Sequence, residues 1–201
     1  MSSKKLIKTA LISVFNKEGI DKILSKLNSE NVKFISTGGT YNYIKSLGYS
    51  CERVEDITTY PSILGGRVKT LHPKIFGGIL SRRNNDDDNK LVKKYDIPEI
   101  DLVIVDLYPF EETVATGATE ADIIEKIDIG GISLIRASAK NFNDVLVVPS
   151  KSEYPLFLSL LNKQGAVTDI TDRKYFAQRA FAVSSKYDEC IYRWFVDNVN
   201  K

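Results

Sequence analysis

Short apolar runs alternate along the chain with segments in which apolar residues recur every three or four positions. Runs of this length, bounded by turn-forming residues, are typical of buried strands. The expected strands lie at residues 6–14, 32–36, 101–106 and 144–149, with a further short strand around 51–54. Helical segments between strands favour parallel pairing. The pattern therefore predicts an α/β fold, with a mainly parallel sheet of five or more strands flanked by helices.

The helical periodicity is most extended near the C-terminal end of the sequence. Helices are expected at residues 20–28, 91–95, 119–127, 155–161 and 171–199. The last of these carries an apolar stripe that needs a partner, which is this domain's own core, a second subunit or a further domain. We expect residues 1–150 to form the main domain and residues 151–201 to form a helical extension packed on it.

Composition and charge exclude several classes of function. A net charge of +2 without any basic block predicts neither nucleic-acid binding nor a membrane surface. Cys51 and Cys190 lie far apart without CxxC spacing, which argues against a disulfide scaffold or zinc site and fits a reducing cytoplasm. The first apolar run is interrupted by Lys8, so it is too broken for a signal peptide or membrane span. With His72 as the single histidine, neither a histidine metal site nor a Ser-His-Asp arrangement is expected.

A turn rich in glycine and hydroxyl groups follows the second expected strand. It reads Ser36, Thr37, Gly38, Gly39, Thr40. Glycines let the backbone approach an anion, hydroxyl groups donate to it, and a helix N-terminus adds favourable partial charge. The turn matches neither a Walker loop nor GxGxxG, which argues against nucleoside triphosphates and dinucleotides. It is therefore a candidate phosphate cradle, and the alternative is a simple helix cap.

A long segment with little regular pattern, residues 56–73, carries a second group of polar side chains. Arg67 can bind phosphate oxygens in a fork, Lys69 can stabilise a developing oxyanion, and Thr70 can donate a hydrogen bond. The alternative is a solvated basic turn. We expect His72, which precedes a proline, to be structural, and Asp86–Asp88 to form a solvated loop rather than a metal site.

The segment 127–141 places charged residues in apolar surroundings. Asp128 precedes a short helix, where the dipole favours its ionised form, and Lys140 is expected to be partly buried on a narrow polar stripe. Together they would make a general acid/base pair. The alternative is a salt-bridged helix end with a solvated lysine. Tyr108 follows a buried strand, at the edge where α/β sheets collect ligands, although it could serve packing alone.

The motifs SVFNK, STGGT, GGRVKTLHP, DLYPF, IDIGG and RASAKN occur in this order over nearly the whole chain. In sequence and spacing this set resembles the IMP cyclohydrolase domain of the bifunctional purine-biosynthesis protein, AICAR formyltransferase/IMP cyclohydrolase. The resemblance implies a three-layer methylglyoxal-synthase-like α/β domain and ring closure of 5-formamidoimidazole-4-carboxamide ribonucleotide (FAICAR) to IMP. It also implies a hydrolase of cyclic amidines running in the ring-closing direction, with no cofactor or metal. The enzyme would be a cytoplasmic homodimer, and we expect the formyltransferase domain to be absent.

The resemblance also implies a set of site residues. Those around the reacting base are Lys69, Tyr108, Asp128 and Lys140. Those that hold the nucleotide are Ser13, Phe15, Asn16, Lys17, Thr37, Gly38, Gly39, Thr40, Arg67, Val68, Thr70, Val105, Asp106, Ile129 and Gly130.

The sequence departs from the family pattern at two places. Phe15-Asn16 stands where Ser-Asp is common, so a hydroxyl contact to phosphate is expected to be lost, and Asp106 stands where Asn is usual. Two rival functions share the fold. A methylglyoxal synthase-type lyase would carry an acidic residue where this chain has Arg67-Val68-Lys69. A non-catalytic nucleotide- or phosphate-binding regulatory domain would have no use for Lys69, Asp128 and Lys140 together.

Overall fold

The computed structural model describes residues 4–199, so the first three residues and the last two of the expected extension lie outside the description. The strands within this range are β1 (Lys5–Leu6), β2 (Thr9–Val14), β3 (Lys33–Ser36), β4 (Glu52–Arg53), β5 (Leu102–Asp106), β6 (Leu146–Val148) and β7 (Val167–Thr168). Five of them form a parallel sheet in the order β4-β3-β2-β5-β6. The expected first strand is divided, because β1 leaves the main sheet and pairs antiparallel with β7.

Ten α-helices connect and cover these strands in the described part of the chain. They are α1 (Ile20–Ser29), α2 (Gly38–Ser46), α3 (Val54–Thr58), α4 (Pro73–Leu80), α5 (Asp86–Lys94), α6 (Phe110–Ala115), α7 (Glu120–Ile124), α8 (Gly130–Lys140), α9 (Tyr154–Gln164) and α10 (Ile170–Asn198). Short 3-10 turns occur at Leu64–Gly66 and Lys151–Glu153.

The sheet separates two hydrophobic cores, because successive side chains of a strand point to opposite faces. In β2, Ala10 and Ile12 belong to one core and Leu11 to the other. The first core is closed mainly by α1 and α9, and the second by α4, α8 and part of α10. This arrangement confirms the predicted three-layer α/β fold with a mainly parallel sheet.

Parallel pairing brings the ends of β2, β3 and β5 to one edge of the sheet. Val14 is paired with Asp106, and Ile12 with Ser36. The loops that follow these three strands therefore meet, although the loops after β2 and β5 are about ninety residues apart in sequence. In open α/β sheets ligands bind beyond this edge.

One expected loop is helical. We expected Asp86–Asp88 to be a solvated loop, but these residues form the first turn of α5. The Asn85 side chain caps the helix by accepting from the Asp88 N–H at 2.9 Å, and acidic side chains favour this end of the helix dipole. The prediction was wrong because it treated a dense acidic run as solvated and overlooked its value in a first helical turn.

The long C-terminal helix α10 packs on α8 and β6 and is fixed at its start by buried polar contacts. The Arg173 side chain is fully buried, and it donates to the carbonyl groups of Phe142 and Thr168 at 2.9 Å each. These bonds attach the start of α10 to β7 and to the segment between α8 and β6. No helix within residues 4–199 is both long and apolar enough to cross a membrane.

Candidate active site

A cavity of about 720 Å³ lies beyond the ends of β2, β3 and β5. Its walls are the loops after these strands, the segment containing residues 65–70, and the segment from Ile124 to Gly131. This volume is within the range of small-molecule sites. The predicted residues that line it are Ser13, Phe15, Lys17, Thr37, Gly38, Gly39, Thr40, Arg67, Lys69, Thr70, Asp106, Tyr108, Asp128, Ile129 and Gly130.

The glycine turn lines the cavity and has the geometry of an anion site. Gly38 has a φ of +48°, a left-handed conformation that favours glycine, and α2 begins there. The first N–H groups of a helix have no intrahelical partner. Thr37 is 6% exposed, and its hydroxyl makes no hydrogen bond within residues 4–199. These donors are therefore available to a bound phosphate.

Lys17 adds a positive charge to this turn. Its ammonium lies 3.8 Å from the position that a Cβ on Gly39 would take, and donates to the carbonyls of Val14 and Phe15 at 2.9 and 2.7 Å. Two of its three N–H groups are thus used, and one is left for a ligand. Burial lowers the pKa of Lys17, and the nearby Asp106 carboxylate opposes this shift.

The other hydroxyl groups of the turn have structural roles. The Thr40 hydroxyl donates to the Val14 carbonyl at 3.0 Å and accepts from the Val14 N–H at 3.2 Å. The Ser36 hydroxyl donates to the Ile12 carbonyl at 2.6 Å. Both fix the turn to β2 instead of facing a ligand, so among the hydroxyl groups of the turn only that of Thr37 has no hydrogen-bond partner within residues 4–199.

The segment at residues 65–70 also lines the cavity. The Arg67 guanidinium makes an exposed ion pair with Glu125, which also lines the cavity, so an anionic ligand would compete with this carboxylate. Thr70 is buried, and its hydroxyl lies 3.1 Å from where a Cβ on Gly130 would be. His72 caps α4, where its Nδ1 accepts from the Lys74 N–H at 3.1 Å. The expectation that His72 is structural is therefore confirmed.

Asp128 also lines the cavity, in a partly desolvated position. Burial raises the pKa of its carboxyl group, while the Gly131 N–H and the Lys69 charge act in the other direction. The Gly131 N–H donates to Asp128 Oδ1 at 2.7 Å. A Cβ on Gly131 would lie only 2.5 Å from Asp128 Oδ2, so the second glycine of the IDIGG motif gives the carboxylate room to fold back over the start of α8.

An aromatic pair forms part of the cavity wall. The rings of Phe15 and Tyr108 meet edge to face at 5.4 Å, and both side chains are partly exposed. The Lys126 ammonium lies 5.9 Å from each ring centroid, close enough for a weak cation–π contact. Phe15, which departs from the family pattern, therefore packs on Tyr108 and has no hydroxyl group to offer a phosphate.

The second departure, Asp106, organises the loop after β2. Its Oδ2 accepts from the Asn16 N–H at 2.9 Å, and the Asn16 side chain accepts from the Glu18 N–H at 2.8 Å. The extra carboxylate therefore orders the loop that carries Phe15 and Lys17.

Four predicted site residues are not in the cavity wall. Asn16 is used within its own loop, Val68 pairs with Ile63 in an isolated bridge, and Val105 is buried in β5. Lys140, which we expected to be partly buried beside Asp128, is exposed at the last position of α8. Ten residues of helix separate it from Gly130, a rise of about 15 Å. The predicted proximity of Lys140 and Asp128 is therefore wrong within one chain.

Some cavity residues were missed by the sequence analysis. They are Val14, Gly65, Gly66, Ile124, Glu125, Lys126, Ile127 and Gly131. Lys126 is the most important of them because it adds a positive charge. It falls in the helix expected at residues 119–127, but α7 ends at Ile124 and Lys126 lies in the irregular segment that follows, so the helical period does not tell which way its side chain points. The one available signal was its position two residues before Asp128.

Comparison with known proteins agrees with this geometry. Residues 19–133 match the family model described as MGS-like domain, and residues 138–201 match the one described as AICARFT/IMPCHase bienzyme. The bifunctional purine biosynthesis protein PurH of Bacteroides thetaiotaomicron is 64% identical over 97% of this chain and 38% of its own length. PurH of Aquifex aeolicus is 46% identical over 90% of this chain and 36% of its own length.

This chain therefore spans well under half the length of these curated relatives. A solved structure titled "Crystal structure of ForH" superposes with a TM-score of 0.79 at 32% identity, covering 93% of this chain and 96% of that one. Since the MGS-like model matches more than half of its residues, the chain belongs to the family of MGS-like domains.

Proposed function

We propose that this chain is an IMP cyclohydrolase that closes the ring of FAICAR to give IMP and water, a step of purine biosynthesis. The observation that carries the proposal is one cavity that is lined both by the glycine turn and by Lys69, Tyr108 and Asp128. A ribonucleotide combines a phosphate, which suits the turn, with a base, which suits the polar side chains. The identity to proteins named PurH supports the same reaction.

The reaction requires two groups of one molecule to meet and two protons to move. The carboxamide nitrogen attacks the formyl carbon and loses one proton, while the formyl oxygen becomes a hydroxyl group. The hydroxyl group then leaves as water as the formamido nitrogen loses its proton and a C=N bond forms. Positioning and proton transfer are therefore the tasks of the protein, and no redox step is involved.

The cavity residues suit these tasks. The Thr37–Thr40 turn and Lys17 hold the 5′-phosphate. Asp128 orients the carboxamide and accepts its proton, and its raised pKa makes it a stronger base than an exposed aspartate. Lys69 stabilises the formyl oxygen as negative charge develops, supported by Tyr108.

We further infer that the protein acts in the cytoplasm as a homodimer. Both cysteines are free thiols, which suits a reducing compartment. Lys140 is exposed and distant from the cavity of its own chain, so a role in proton transfer requires the cavity of a second copy. Residues 1–150 then form the catalytic domain, and residues 151–201 form an extension whose α10 packs on α8 and β6.

The test distinguishes three functions, which are the cyclohydrolase, the lyase and a non-catalytic binding domain, and it also measures nucleotide binding. Purified protein is incubated with FAICAR while IMP absorbance is followed, and separately with a triose phosphate while methylglyoxal is measured. IMP formation supports the proposal. Methylglyoxal formation would instead indicate the lyase, and nucleotide binding without turnover would indicate a regulatory domain.

A pair of lysine variants makes the assay specific to the cavity. Lys69→Met keeps the length of the side chain but removes its charge, and we expect turnover to fall by on the order of 10² or more. Lys90→Met is the control, because Lys90 lies on α5, does not line the cavity, and pairs with the exposed Asp87 carboxylate. Equal activity of the two variants would contradict the role of Lys69.

A further inference from the structure

The hydroxyl of Tyr187, near the middle of α10, lies behind the segment that carries Asp128. It donates to the Lys126 carbonyl at 2.8 Å and accepts from the Asp128 N–H at 2.8 Å. A phenol is both donor and acceptor, so one group can make both bonds. A single side chain of α10 therefore holds two backbone groups of the segment between α7 and α8.

These two bonds fix the residues that face the cavity. Lys126 and Asp128 both line it, and residues 125–129 lie between helices, outside regular structure. The Asp128 N–H and the Lys126 carbonyl make no other hydrogen bond within residues 4–199. Because backbone groups away from water need a partner, the hydroxyl selects one conformation of the segment.

Asp128 is consequently held at two points. Tyr187 fixes its backbone, and the Gly131 N–H fixes its carboxylate at 2.7 Å. Tyr187 is itself held in place, because its ring packs edge to face on the buried Phe110 at 6.3 Å. Burial raises the pKa of Tyr187 to about 12, so the hydroxyl keeps the proton that it donates at neutral pH.

We propose that Tyr187 is a positioning residue for the active site, holding Asp128 and Lys126 against the reacting base. This inference rests on the proposed function. It also assigns a role to α10 beyond packing, since the helix lies in the region that matches the bienzyme model and Asp128 in the region that matches the MGS-like model. The C-terminal region thus completes a site formed mainly by the MGS-like region.

The variant Tyr187→Phe tests the proposal because it keeps the ring on Phe110 and removes only the hydroxyl. The control is Tyr192→Phe on the same helix, where the side chain is exposed and its hydroxyl has no hydrogen bond within residues 4–199. For Tyr187→Phe we expect kcat with FAICAR to fall by about ten- to a hundredfold, because small misplacements of reacting groups are costly. The Kd for IMP should change less than about twofold, because the phosphate turn is on β3 and α2.

Amide hydrogen exchange measured by NMR gives a readout that does not need turnover. In Tyr187→Phe the Asp128 amide should exchange at least about ten times faster, while amides of β2 and β5 remain unchanged. A purely structural role would instead accelerate exchange throughout the protein and weaken IMP binding together with kcat. Unchanged kcat and unchanged Asp128 exchange would overturn the proposal.

The two proposals can fail separately. If the wild-type protein does not turn over FAICAR, the proposed function fails, and the exchange of the Asp128 amide still decides whether Tyr187 holds the segment. If the wild type is active and Tyr187→Phe matches Tyr192→Phe in kcat, the positioning role alone fails.

Discussion

At the scale of single residues, the chemistry of the site depends on how each polar group is already used. The hydroxyl groups of Thr37 and Thr40 are three residues apart in one turn, yet only that of Thr37 is free for a ligand. Similarly, the Asp128 carboxylate can fold back over α8 only because residue 131 has no side chain. Residue type alone therefore does not tell which groups can act.

The ionisation of Asp128 gives a residue-scale prediction. Burial raises its pKa in the folded protein, so the ionised carboxylate destabilises the fold. This cost is absent below the unfolded pKa of about 3.9 and is fully present above the folded pKa. We expect Asp128→Asn to lower turnover by on the order of 10² to 10⁴. The variant removes this cost, so the free energy of unfolding of Asp128→Asn minus that of wild type should be larger at neutral pH than near pH 4.

Urea unfolding at the two pH values measures this difference in stability. Asp188→Asn is the matched control, because Asp188 is an exposed aspartate of α10. The interpretation of Asp128 as a desolvated base would be wrong if Asp128→Asn changed the free energy of unfolding equally at both pH values.

At the scale of secondary-structure elements, local signals explain the starts of several helices. Thr119 caps α7 by accepting from the Asp122 N–H at 3.2 Å, as its spacing predicts. At the start of α10, Asp169 and Asp172 form a reciprocal capping box. The Asp169 side chain accepts from the Thr171 and Asp172 N–H groups at 2.7 and 2.9 Å, and Asp172 accepts from the Asp169 N–H at 2.9 Å.

Removing this cap should weaken α10 without reaching the cavity. We expect Asp169→Ala to lower the free energy of unfolding by about 0.5–2 kcal/mol, the usual contribution of an N-cap. Turnover should be unchanged, because Tyr187 lies several helical turns away from the cap. Urea denaturation measures the loss, with Asp188→Ala as a control expected within about 0.5 kcal/mol of wild type. A large loss of turnover in folded Asp169→Ala would show that the start of α10 also supports the site.

At the scale of the whole molecule, the separation of Lys140 from the cavity is the main consequence of the fold. Helix α8 begins at the cavity wall and ends with Lys140 exposed. A straight helix of this length spans about 15 Å, so its two ends cannot serve one small base. If Lys140 takes part in the reaction, it does so in the cavity of another copy.

Mixing two inactive variants tests this prediction. We expect Lys69→Ala and Lys140→Ala each to lose activity when purified alone. If the two chains are refolded together, half of the dimers are mixed and one cavity in each is intact, which restores about a quarter of wild-type activity. No recovery would place the action of Lys140 within its own chain, and full activity of Lys140→Ala alone would remove it from the mechanism.

The sequence by itself determined the classes and order of most elements, because strand and helix periods of about 2 and 3.6 residues are local properties of the chain. It also determined the glycine turn and the structural use of His72, since both depend on neighbouring residues. The tertiary structure alone decided which side chains share the cavity. Lys126 lines the cavity, Tyr187 lies behind the segment that carries Asp128, and Lys140 lies away from the cavity, because these placements depend on strand order and on packing between elements distant in sequence.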